Sequence, residues 1–106
     1  MFYIKQNDTS PALEVTLQDS DGNPVNVFGA SVEFHMRPQA NDTVKVSSPG
    51  EVVDGPAGIV RYNWSTGDTD TPGDFWAEFQ ITYSDSTIET FPNTTYIEVK
   101  ILEEIA

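Results

Sequence analysis

Nine consecutive residues, Phe75 to Tyr83, alternate between two faces without a break. Phe75, Ala77, Phe79, Ile81 and Tyr83 fall on one side, and Trp76, Glu78, Gln80 and Thr82 on the other. A strand sends successive side chains to opposite faces, whereas a helix would scatter these apolar positions around its circumference. The segment therefore reads as a strand with one buried face. Such a strand needs neighbours at its edges and a second layer beneath it.

The rest of the chain repeats the pattern in shorter pieces. Phe2 and Ile4 alternate in a first strand; Leu13, Val15 and Leu17 form the inner row of a second, and Val32, Phe34 and Met36 that of a third. A shorter strand is expected over Thr43 to Ser47. Ile59 to Trp64 places Val60, Tyr62 and Trp64 on one face. Thr87 to Phe91 returns as the hairpin partner of the long strand, and Tyr96 to Ile101 closes the domain with Ile97, Val99 and Ile101 inward. Turn signals separate these runs, among them Asp19-Ser20-Asp21-Gly22-Asn23-Pro24, Ser48-Pro49-Gly50, Gly55-Pro56-Ala57-Gly58 and Ser84-Asp85-Ser86. Only Leu102 to Ala106 offers a helical turn, too short to be stable alone. The expected architecture is all-β: two antiparallel sheets of about seven or eight strands in all, packed as a sandwich.

The 106 residues form one domain, 1–106. A domain of this size buries roughly 60–70% of its unfolded surface. There is no cysteine, which excludes a disulfide framework, a thiolate metal site and a catalytic thiol. No apolar run approaches the roughly 20 residues of a membrane-spanning helix. Polar residues follow the first four at once, so no signal peptide is expected, and synthesis is expected in the cytoplasm. Seventeen acidic residues against five basic ones give a formal net charge of −12. That balance speaks against binding nucleic acid by phosphate neutralisation. The acidity suits either a solubilising surface or a high-salt habitat in which self-repulsion is screened.

Several stretches, taken in order, resemble one family. The opening line Ile4 to Val25 runs through a polar, Pro-broken lead into a short strand and an Asp-Gly turn. Gly29 to Pro38, Gly58 to Trp64, Gly67 to Gly73 with Phe75 to Phe79, and Ile88 to Pro92 follow. Together they resemble the small immunoglobulin-like domain at the N-terminus of tailed-phage baseplate upper proteins. The resemblance implies an immunoglobulin-like sandwich that docks onto a virion core and carries or adapts a peripheral part. The expected function is thus that of a structural virion protein, a tail or baseplate adaptor, with no enzymatic activity and no cofactor. Its partners would be other virion proteins and, within the particle, further copies of itself; nucleic acid and membrane are not expected as partners. Capsid or neck decoration with the same fold, and a carbohydrate-binding sandwich, are the alternatives. Two departures stand out. Asp85-Ser86 occupies a hairpin turn where the family usually has Asp-Gly. The chain also ends at Ala106, whereas a full baseplate upper protein continues into a stem and a receptor-binding platform, so this chain is not expected to hold a receptor-binding protein in the same way.

Candidate chemistry is sparse. His35 is the only histidine, and Ser31, four residues along the same strand, is roughly 13 Å away, too far for a dyad. Asp19, Asp21, Asp68, Asp70 and Asp74 offer oxygen ligands for Ca²⁺, but no ligand loop with a closing Glu is present, and Asp also makes turns by bonding its own backbone. No metal site is therefore expected. Asn7, Asn41, Asn63 and Asn93 open Asn-x-Ser/Thr sequons, as a Thr-rich chain does by chance. Trp76 is the informative residue: a large aromatic sharing its face with Glu78, Gln80 and Thr82. It is either covered by a neighbouring side chain or the anchor of an interface. Phe2, Tyr3 and Tyr96, near the two ends of the chain, are lesser interface candidates.

Overall fold

A computed structural model describes residues 1–105. Nine strands follow in chain order: β1 (Phe2–Lys5), β2 (Leu13–Thr16), β3 (Ser31–Pro38), β4 (Val46–Pro49), β5 (Glu51–Asp54), β6 (Ile59–Tyr62), β7 (Gly73–Thr82), β8 (Ile88–Phe91) and β9 (Ile97–Leu102). They make an immunoglobulin-like sandwich. One sheet runs β1-β9-β7-β3-β4, with β8 also on β7; the other runs β2-β6-β5. All pairs are antiparallel except β1 with β9, which run parallel.

The period-two rows set the register. Val32, Phe34 and Met36 of β3 lie opposite Ile81, Phe79 and Ala77 of β7. Leu13 and Val15 of β2 lie opposite Tyr62 and Val60 of β6. These rows face each other across the sandwich. Phe34 stacks on Tyr62 with centroids 4.3 Å apart, meets Trp64 edge-on at 5.7 Å and leans on Phe79 at 5.1 Å. Trp64 is buried as the periodicity predicts; among the described residues its indole N–H has no acceptor, and packing holds it there.

β7 serves two neighbours along one edge. Its first half, Gly73 to Ala77, pairs with β9, and its second half, Phe79 to Thr82, pairs with β8. The β7–β8 hairpin closes through Ser84, Asp85 and Ser86. The Ser86 N–H donates to the Tyr83 carbonyl, the Tyr83 N–H to the Thr87 carbonyl, and Asp85 Oδ1 accepts from both the N–H and the hydroxyl of Thr87. Ser86 carries φ +72°, the left-handed conformation that suits glycine.

The middle of the chain departs from expectation. The strand expected over Thr43 to Ser47 begins instead at Val46, because Asn41 Oδ1 accepts the Thr43 N–H and holds 41–43 in a turn. Ser48-Pro49-Gly50 reads as a turn but is a corner. The chain leaves the first sheet as β4 and enters the second as β5, a strand the sequence did not announce. Gly50 makes the crossing possible: a Cβ there would lie 3.0 Å from Val32 Cγ1 and 3.1 Å from the Arg61 carbonyl. Pro49 pairs with Glu33 at the outer edge, where a missing N–H costs no ladder bond. No helical turn follows β9: Leu102 ends the strand, Glu103 to Ile105 have no regular structure, and Ala106 lies outside the described residues.

Candidate interaction surface

The larger sheet turns one face to the core and one outward. On the outer face, Trp76 of β7 lies between Glu98 of β9 and Arg37 of β3 in the register. The residue is half-buried. The ring of Tyr96, just before β9, stacks on the indole with centroids 4.9 Å apart and planes 17° from parallel. The Arg37 guanidinium lies over the same indole, 5.2 Å from its centroid. Arg37 is itself held from behind: Nη1 donates to the Asn41 carbonyl at 2.8 Å and lies 3.4 Å from Asp42 Oδ1. The three side chains form a ridge in which each fixes the next, by stacking and by cation–π attraction.

Shallow grooves flank this ridge. One, of about 470 Å³, is lined by His35, Arg37, Val44, Trp76, Glu78 and Tyr96. The other, of about 480 Å³, lies towards Met1 and Glu98. His35 Nδ1 is 3.4 Å from Glu78 Oε2, and Nε2 is 3.8 Å from Glu33 Oε1. The histidine thus links strands on a half-exposed face, and Ser47, opposite it in the β3–β4 register, donates its hydroxyl to Glu33 Oε1 at 3.2 Å.

Of the four aromatic candidates, the structure brings two together, Trp76 and Tyr96. Tyr3 is exposed on β1 opposite Lys100 and shares the outer face, two strands from the ridge. Phe2 points the other way and stacks on Trp64 at 5.9 Å, as a flank of the core. The sequence did not show Arg37 as part of the site. Its place opposite Trp76 follows from the β3–β7 register, which no single strand reveals.

The acidic residues considered as metal ligands are dispersed or engaged. Asp19 Oδ1 accepts the N–H groups of Asp21 and Asn23 and shapes its own turn. Asp68 Oδ2 accepts the Tyr62 hydroxyl at 2.6 Å and the Ser65 N–H at 2.8 Å. Burial, with that carboxylate second, pushes the Tyr62 phenol up to about 12. Asp70 pairs with Lys45 at 2.5 Å, which, with the Thr71 hydroxyl, holds its carboxyl below the usual range. Asp74 lies 3.9 Å from Lys100. Among the described residues, no three His, Cys, Asp or Glu side chains converge as a metal would require. Asn63, in the strand-side sequon, donates from Nδ2 to Glu51 Oε1 at 2.9 Å.

Fold and surface together define a small sandwich module with an aromatic ridge on its outer sheet. The chain belongs to the BppU N-terminal domain family, the baseplate upper protein N-terminal domain, whose model matches residues 2–101. Among solved structures it is similar to the N-terminal domain of phage TP901-1 ORF48, with a TM-score of 0.67 at 16% identity, covering 96% of this chain and 84% of that one. No curated protein matches it in sequence. Family membership gives the chain a structural role in a phage tail or baseplate, in association with other virion proteins.

Proposed function

We propose that this chain is a non-catalytic adaptor of the tail or baseplate that docks onto a neighbouring virion protein through the outer face of its larger sheet. The observation that carries this reading is the Tyr96–Trp76–Arg37 ridge. Aromatic and arginine side chains of this kind dominate protein interfaces, and here they are ordered before any partner arrives. The same geometry argues against a sugar platform, because Tyr96 and Arg37 already occupy the indole's π surface.

The test is immunogold labelling of purified particles with an antibody against the chain, together with Trp76→Ala. Gold at the tail tip supports the baseplate adaptor. Gold over the head or neck reassigns the module to decoration or connection there. Trp76→Ala should lose particle association while costing only about 1 kcal/mol of stability, since the ring is half-exposed. If the variant unfolds, Trp76 is part of the core and the docking role fails. Binding to a glycan array that disappears in the same variant would transfer the ridge to carbohydrate recognition.

A further inference from the structure

The turn leading into β3 carries a phenylalanine that has no place in the core. Phe28 is 80% exposed, the most exposed aromatic side chain among the described residues. Its backbone is nevertheless fixed. Val27 beside it is fully buried, and the Val27 N–H donates to the Gly55 carbonyl at 2.9 Å. The Phe28 N–H donates to Asn26 Oδ1 at 2.9 Å, and the Ala30 N–H returns to the Val27 carbonyl at 3.1 Å. Gly55 lies directly against this turn: a Cβ there would come within 2.7 Å of Phe28 Cα. A phenyl ring is thus held out into solvent on an ordered backbone, so little backbone entropy remains to be lost when it is covered.

Charge says what kind of surface would cover it. The segments nearest this turn, residues 17–30 and 53–58, carry Asp19, Asp21 and Asp54 and no lysine or arginine. A second copy meeting the first through this end would set acid against acid. The position also differs from that of the ridge. Phe28 precedes Ser31 at the start of β3, whereas Arg37 is near the end of that strand, roughly 20 Å further along at the rise of an extended chain.

We infer that Phe28 is a second docking point, a knob that seats in an apolar socket rimmed by lysine or arginine on a virion protein of different sequence. The inference rests on the adaptor reading and supplies the other half of the adaptor's contacts: the ridge holds one neighbour and the knob another.

The experiment uses the phage that encodes the chain. Position 28 is replaced by the photo-cross-linking amino acid benzoylphenylalanine, and assembled particles are irradiated and digested. In parallel, Phe28→Ala, Phe28→Trp, Asp54→Asn and Trp76→Ala are introduced, and the copies retained per particle after dilution are counted by mass spectrometry. The expected cross-link joins residue 28 to a different protein, in a peptide containing Lys or Arg. Phe28→Ala should weaken retention about 30-fold, the size of an interface hot spot. Phe28→Trp should retain most of it. Asp54→Asn, which keeps the acceptor for the Ala57 N–H, should weaken it and flatten its salt dependence. A cross-link only to another copy of the chain, no cross-link at all, or full retention of Phe28→Ala overturns the knob. The two levels separate cleanly. Wild-type particles without the chain sink the adaptor reading and the knob with it, whereas loss of Trp76→Ala with full retention of Phe28→Ala removes the knob alone.

Discussion

Ser86 shows how much one side chain can set. It sits at φ +72° where a Cβ is disfavoured, yet its N–H and its neighbours' bonds complete the hairpin turn. Ser86→Gly should keep every one of those bonds and raise stability by about 0.5–1 kcal/mol, read as a higher thermal midpoint of about 3–5 °C. The two tyrosines on carboxylates make a second expectation. Burial, then Asp68, raises Tyr62 to about 12; burial, then Glu89, raises Tyr83 to about 12. Each folded value lies above that of an exposed phenol, so the folded state holds the proton more tightly. The contribution is fully present below about pH 10 and is lost as pH rises from there towards about 12, with solvent screening reducing its size, most of all at Tyr83. Thermal midpoints measured across that window should fall steeply, and Tyr62→Phe should shallow the slope. A flat profile would mean that neither phenol is protected.

Strands were legible wherever alternation was unbroken. β7, β3 and β9 follow directly from rows such as Phe75-Ala77-Phe79-Ile81, because a period of two has one structural reading. β5 was not legible. Glu51-Val52-Val53-Asp54 has one half-buried valine and one exposed, since an edge strand at a corner buries little, and Pro49-Gly50 before it imitates a turn. The ridge was half legible. Trp76 on a polar face announced itself, whereas Tyr96 and Arg37 join it only through pairing between strands distant in sequence. Phe28 lies in a loop without periodicity, and only its exposure identifies it. The corner and loops also divide the glycines. Gly58, at φ +71°, lies where a Cβ would be 2.6 Å from the Val25 carbonyl oxygen; Gly22, at φ +83°, has open space around it. Gly22→Ala should cost about 1 kcal/mol from backbone strain alone, and Gly58→Ala at least about 2 kcal/mol because the clash is with main chain that cannot turn aside. Calorimetry on the two variants tests the ranking, and equal losses would contradict it.

At the scale of the molecule, charge and closure dominate. Four of the five basic side chains already pair with acids, Arg37 with Asp42, Lys45 with Asp70, Arg61 with Glu51 and Lys100 with Asp74. The remaining carboxylates repel one another, in keeping with a net charge of −12. Adding salt from dilute buffer to about 1 M should therefore raise the melting temperature, because screening relieves repulsion more than it weakens a few exposed pairs. A midpoint that falls with salt would show the pairs to dominate. A chain fully folded in dilute buffer would remove the case for a high-salt habitat. The crossing at Gly50 has its own consequence. It binds the two sheets along one side as a spine binds the covers of a book. At the fore-edge across from it, Val15 and Phe91 line a cleft of about 400 Å³. A neighbour that wedges itself between the pages there works against further stitching, since the chain also crosses between the sheets from β1 to β2, from β2 to β3 and from β6 to β7.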